Sequence, residues 1–158
     1  MSNLDKENLS WTKILGQDVD LVLQLMAEYY AFDGLHFDHE SAAKLLRIFV
    51  AKSELGQGWV IRLHGAPIGY IIMTNGFSLE FGGIYQFIDE FFLVERYRGT
   101  GIGAETLRYV ERVGREIGAA SIHLEVEAHN ETAQRFYTKY GYSGHGRSLW
   151  SKRLLVNS

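Results

Sequence analysis

The chain has 158 residues, 46% apolar and 22% charged, with a formal net charge of −3 from 16 basic and 19 acidic side chains. That is the composition of a single globular domain spanning residues 1–158 with room for a sizeable core, and it lacks the basic excess that marks most nucleic-acid binders. The absence of cysteine excludes disulfides, thiolate metal ligation and a cysteine nucleophile, no apolar run nears the ~20 residues of a bilayer span, and the polar start from Met1 to Lys6 lacks a signal-peptide core, so a cytoplasmic location with no membrane partner is expected.

Residues 9–15 suit a first strand. Asp18 to Phe32 reads as a helix with Val19, Val22, Leu23, Met26 and Tyr30 on one stripe, and a second helix follows from about His39 to Lys52. Strands are expected at Trp59–Leu63, Pro67–Thr74 and Ile84–Val94, the last the longest and most apolar. A helix from about Gly101 to Ile117 presents Leu107, Val110, Val113 and Ile117 to the sheet; Gly114 inside it implies close helix–sheet packing. Ser121–Glu127 alternates like a strand, Glu131–Tyr140 like a short helix closed by Gly141. Tyr142–Gly146 and Leu149–Leu155 are two last strand candidates. The order β-α-α-β-β-β-α-β-α-β-β gives an α/β (α+β) fold: a mixed sheet of about six to seven strands with helices on its faces.

Between the longest strand and the helix after it lies Arg98-Gly99-Thr100-Gly101-Ile102-Gly103. Glycines bare the backbone where a strand turns into a helix, so the N–H groups and the positive helix end can grip an anion. A P-loop needs a Gly-Lys-Ser/Thr ending, and Gly103-Ala104-Glu105 does not supply one. A Rossmann fingerprint needs a further glycine and a place early in a βαβ unit; neither holds. A helix entry that uses glycine only for its backbone freedom is the other reading.

The motif Arg98-x-x-Gly101-x-Gly103 resembles the coenzyme A loop of the GNAT family of N-acetyltransferases. The likeness extends through the preceding strand, Phe87 to Val94, into Leu124-Glu125-Val126 and on to Asn130-x-x-Ala133-x-x-Phe136-Tyr137-x-x-Tyr140-Gly141-Tyr142, about residues 84–145 in all. It implies the GNAT fold, a mostly antiparallel twisted sheet, with acetyl-coenzyme A as donor and no metal. By that resemblance the amides of Arg98, Gly99, Thr100, Gly101, Ile102, Gly103 and Ala104 would bind the pyrophosphate. The pantetheine arm would pair with backbone at Phe92, Leu93 and Val94, in an opening between the fourth and fifth strands. Asn130 matches a position that hydrogen-bonds the arm, and it also suits a helix N-cap. Tyr137 matches the general acid beside the coenzyme sulfur; helical spacing alone makes it a packing aromatic.

Acyl transfer to an amine needs a neutral amine, a stabilised oxyanion and a protonated leaving thiolate. Without cysteine, direct attack in a ternary complex is the simpler route. Asp89 and Glu90 interrupt an apolar strand, where at least one carboxylate would face buried surface. The family often carries a β-bulge here, and either acid is a candidate base whose pKa burial would raise. A structural ion pair is the alternative. The polyamine-acetylating branch has a similar acid pair before two aromatics, which motivates a cationic small amine as acceptor. Asp33, Asp38 and Glu80 are further acids for an acceptor pocket; His123 and His129 are second-choice bases. A non-catalytic acyl-coenzyme A-binding module and a homodimer through the aromatic strands and C-terminal end complete the readings.

Overall fold

A computed structural model describes residues 7–154. The chain forms two compact units, one up to Glu125 and one from Val126. The first unit is built on a five-stranded sheet in the order β1-β2-β3-β4-β5: β1 (Leu9–Lys13), β2 (Gly56–Leu63), β3 (Ala66–Ser78), β4 (Gly83–Leu93) and β5 (Ser121–Leu124). The first four strands run antiparallel to their neighbours. β5 returns parallel to β4 after a crossover through a helix, as a parallel pair requires.

Helices α1 (Val19–Phe32) and α2 (His39–Ala51) cover one face. Val22, Leu23, Leu25 and Leu46 pack there on Val60, Tyr70, Ile72 and Phe92, the inward halves of alternating strands. Helix α3 (Ile102–Glu116) carries the buried stripe Ile102, Leu107 and Val110; Ile102 packs with Leu9, Ile61, Ile68 and Leu93, the opposite side of the same strands. Trp11 stacks on Tyr109 of α3 with centroids 4.7 Å apart and donates to Thr106 Oγ1 at 3.1 Å. A Cβ at Gly114 would stand 3.2 Å from Gln86 Oε1, so the glycine does permit close helix–sheet approach. No helix among the described residues is long and apolar enough to cross a membrane.

The second unit contains α4 (Glu131–Lys139), closed by Gly141 at φ +88. The strands expected at 142–146 and 149–155 do not form among the described residues, so the sheet has five strands rather than six or seven; Leu155 itself lies outside them. The alternation at 149–154 has no face to bury: Leu149 is 71% and Trp150 92% exposed. Gly146, at φ +64, breaks the extended path before it. β5 stops at Leu124 rather than Glu127 because its ladder with β4 ends at the pair Ile88–Leu124.

Candidate active site

The glycine-rich segment connects β4 to α3. Gly101 caps the helix at φ +93, a left-handed conformation open to glycine, and no side chain caps the helix. The first intrahelical bond of this turn is Glu105 N–H to Gly101 O at 3.2 Å. The amides of Ile102, Gly103 and Ala104 precede it and have no helical acceptor. This is the uncapped, positively polarised helix start that an anion needs. The two side chains of the segment turn inward to backbone: Thr100 Oγ1–H donates to Tyr97 O at 2.7 Å and Arg98 Nε–H to Leu93 O at 2.8 Å. The Arg98 guanidinium also lies over the Phe32 ring at 3.9 Å and faces Phe92 at 5.4 Å.

Beyond the pair Ile88–Leu124, β4 continues for five residues with no strand paired to it on the β5 side among the described residues. The β3–β4 register fixes which peptide groups face that free edge. Val94 N–H bonds Ile68 O at 2.9 Å, so the pair Gly69–Leu93 is a non-hydrogen-bonded one and alternation makes Ile71–Phe91 another. Leu93 and Phe91 therefore turn their N–H and C=O outward, while those of Phe92 are spent on β3. Val94 is spent as well: its N–H is used, and its C=O accepts from Tyr97 N–H at 2.9 Å. Of the three strand residues expected to offer backbone to a ligand, the edge leaves Leu93, and it adds Phe91. Only the register could reveal that.

The β3–β4 register breaks at the acid pair. Ile72 pairs with Glu90 and Met73 with Ile88, leaving Asp89 as the extra residue of a β-bulge. The bulge restores alternation out of phase, so Glu90 and Phe92 share the face under α1. Glu90 is held there at both oxygens: Tyr30 O–H of α1 donates to Oε1 at 3.0 Å and Tyr70 O–H of β3 to Oε2 at 2.7 Å. Burial raises the Glu90 carboxyl above its usual range, and the two phenol donors oppose that rise only in part. The Tyr30 hydroxyl is pushed up to about 12, first by burial and then by the Glu90 charge. The Tyr70 hydroxyl moves further in the same direction for the same reasons. The Asp89 charge adds to the rise at Tyr30 as the smallest of its causes. Asp89 is exposed as a residue, yet the protein packed around its carboxyl raises its pKa by desolvation. The burial of the carboxyl group decides here, since the proton sits there. Among the described residues Asp89 has no hydrogen bond or ion pair. Tyr30 and Tyr70 are site residues that sequence reasoning missed, because they are 60 and 20 positions away from Glu90 on elements whose docking no spacing encodes.

Asp38, expected beside an acceptor, is the N-cap of α2, accepting from Ser41 N–H at 3.1 Å. His123 bonds Ser121 Oγ at 2.9 Å, and His129 lies 3.0 Å from Glu127. In the second unit Asn130 caps α4, its Oδ1 accepting from Ala133 N–H at 3.0 Å, and its amide nitrogen is not used in the cap. Tyr137 is half-buried in an aromatic group, 5.1 Å from Phe136 and 5.7 Å from Tyr142 between ring centroids. Arg135 pairs with Glu131 at 3.1 Å, one turn back on the helix.

Residues 20–142 match the model of the acetyltransferase (GNAT) family. The chain belongs to the GNAT family. Within this family its sequence is 44% identical over 57 residues to the uncharacterized N-acetyltransferase YdgE of Bacillus subtilis (strain 168). That stretch covers 36% of this GNAT chain and 36% of YdgE, so the chain matches about a third of that relative's length. Among solved structures, an integron cassette protein from the mobile metagenome of Cole Harbour Salt Marsh, HFX_CASS3, superposes with a TM-score of 0.83 at 28% identity. The match covers 97% of this chain and 94% of that one. A predicted acetyltransferase from Clostridium acetobutylicum, solved with acetyl-CoA, shares the fold at a TM-score of 0.76 and 15% identity, over 91% and 96% of the two chains.

Proposed function

We propose that this GNAT chain transfers an acetyl group from acetyl-coenzyme A to the primary amine of a small cationic acceptor. The observation that carries this reading is the bulge at Asp89, which sets two adjacent carboxylates in β4 just before the stretch that β5 leaves unpaired. The residues fit the donor's chemistry. The amides from Gly99 to Ala104 suit its pyrophosphate, and the outward peptide groups of Phe91 and Leu93 suit the amide-bearing arm as an added strand would. Acetyl-coenzyme A supplies the acyl group as a thioester, activated toward an amine.

The chain's own work is to move protons. An ammonium acceptor has no lone pair, so a base must take a proton from it before the C–N bond can form. Asp89 suits that role: its carboxyl has open oxygens and a pKa raised toward neutrality. Glu90, clamped by two phenols, suits the role of a fixed negative charge that favours a cationic acceptor. The hydroxyl of Tyr137 is the proton source for the departing sulfur as the C–S bond breaks, and the Asn130 amide a partner for the arm. Incubation with acetyl-coenzyme A and a panel of di- and polyamines, aminoglycosides and amino-acid amides, with released thiol as the readout, should give turnover for cationic amines. Coenzyme A binding with no turnover across the panel would mark a binding module instead. Turnover confined to neutral or acidic acceptors would overturn the assignment of the acceptor.

A further inference from the structure

Tyr30 joins three parts of the first unit. Its hydroxyl donates to Glu90 Oε1 at 3.0 Å, across 60 positions of sequence. Its carbonyl accepts from Leu35 N–H at 2.8 Å, while Ala31 O accepts from Gly34 N–H at 3.3 Å. With Gly34 at φ +66 this is a Schellman turn, which reverses the chain at the end of α1. The Tyr30 ring lies 5.2 Å from that of Phe37, next to Asp38, the N-cap of α2. The connection between the two helices buries little of itself. Residues 31–36 are exposed, Phe32 at 56% and Leu35 at 55%, and Phe37 is half-buried against the helix–sheet core. A segment with so few buried contacts opens at low free energy. The Tyr30–Glu90 bond is of another kind: it is charge-assisted and part-buried, and it reaches from the helix end to the β4 bulge. Tyr70, the other donor to Glu90, is fully buried on β3, so its 2.7 Å bond stays within the sheet.

We propose that the last turn of α1 and the connection from Asp33 to Asp38 form a lid over Glu90, latched by the Tyr30 hydroxyl. The latch fixes the residue whose carbonyl closes the Schellman turn, so losing it loosens the turn. In the open state the Tyr30–Glu90 bond is broken, Tyr70 keeps the carboxylate in place, and its Oε1 side becomes accessible. The two oxygens thus have separate jobs: Oε2 holds the charge in position and Oε1 holds the lid. On the reading that Glu90 attracts a cationic acceptor, the lid controls that acceptor's entry; the latch itself does not depend on that reading.

Amide hydrogen exchange reads the lid at Leu35, whose N–H is bonded while the turn is closed, against Leu107, a fully buried core residue of α3. Tyr30→Phe keeps the ring and the carbonyl and loses the hydroxyl. Its Leu35 amide should exchange about tenfold faster than in wild type, the worth of one hydrogen bond to a charged group, with a smaller change at Leu107. An unchanged Leu35 rate would overturn the latch. Equal acceleration at both amides would make the bond a support of the whole fold and overturn the lid. If Tyr30→Phe does not fold, exchange of the wild type in low denaturant carries the test. Leu35 should then exchange with little dependence on denaturant, through local opening, while Leu107 follows global unfolding; matching slopes would overturn the lid. None of these readouts involves acetyl transfer, so a failure to turn over any amine would overturn the transferase reading and leave the latch standing.

Discussion

Glu90 and Asp89 are neighbours in sequence and opposites in circumstance. Glu90 accepts from Tyr30 and Tyr70, whereas Asp89 has only desolvation acting on it. If Asp89 takes the acceptor's proton, the acidic limb of kcat/KM against pH will lie above the ordinary carboxylate range of about 4, because only the ionised form is active and its pKa is raised. Asp89→Asn should remove that limb and lower the rate by roughly 10²–10⁴. A limb that survives the substitution unchanged would assign it to another group. The same shifts govern stability with the opposite sense. Both carboxyls hold their protons more tightly in the folded protein than in the unfolded chain, so their contribution is largest below about pH 4 and is lost as pH rises through the raised folded values. Glu90→Gln has no proton to lose and should flatten that part of a melting-temperature curve against pH.

At the scale of elements, two helix starts are finished by different means. α3 begins at a glycine with no side-chain cap and leaves its first amides for a ligand. α4 begins at Asn130, whose Oδ1 closes the cap and whose Nδ2 remains. Substitution separates the two jobs of Asn130. Asn130→Ala should cost about 1 kcal/mol in denaturant unfolding and weaken coenzyme A binding. Asn130→Ser restores an oxygen cap and with it the stability, but not the amide donor, so coenzyme A binding stays weak. Full recovery of binding in the serine variant would leave the residue a helix cap and nothing more. β4 shows how much one extra residue can do in a strand: the bulge at Asp89 turns Glu90 toward α1.

At the scale of the whole molecule, donor binding is linked to folding. A ligand that grips the loop and strand edge only when the sheet is formed stabilises the protein by about 2.7 kcal/mol at a concentration 100 times its Kd. For a chain of this size that amounts to a rise of roughly 5–10 °C in Tm. A thermal melt with saturating coenzyme A and no rise would argue against the donor assignment. Family membership and the fold shared with HFX_CASS3 constrain the scaffold.

The family was legible in the sequence because its signals are local. The glycines at 99, 101 and 103 sit where a strand hands over to a helix, Asn130 caps the short helix that carries Tyr137, and apolar periodicity marks the strands and helices the sheet uses. Local pattern failed where pairing decides. The alternation at 149–154 asked for a strand that has no face to bury. The bulge, the outward peptide groups of Phe91 and Leu93, and the Arg98–Leu93 bond all follow from register. The phenols on Glu90 come from residues brought in by helix docking. Backbone conformation and burial preference are written into single residues and their near neighbours. Which hydrogen-bonding groups remain unspent depends on partners distant in the chain, and only the assembled sheet decides that.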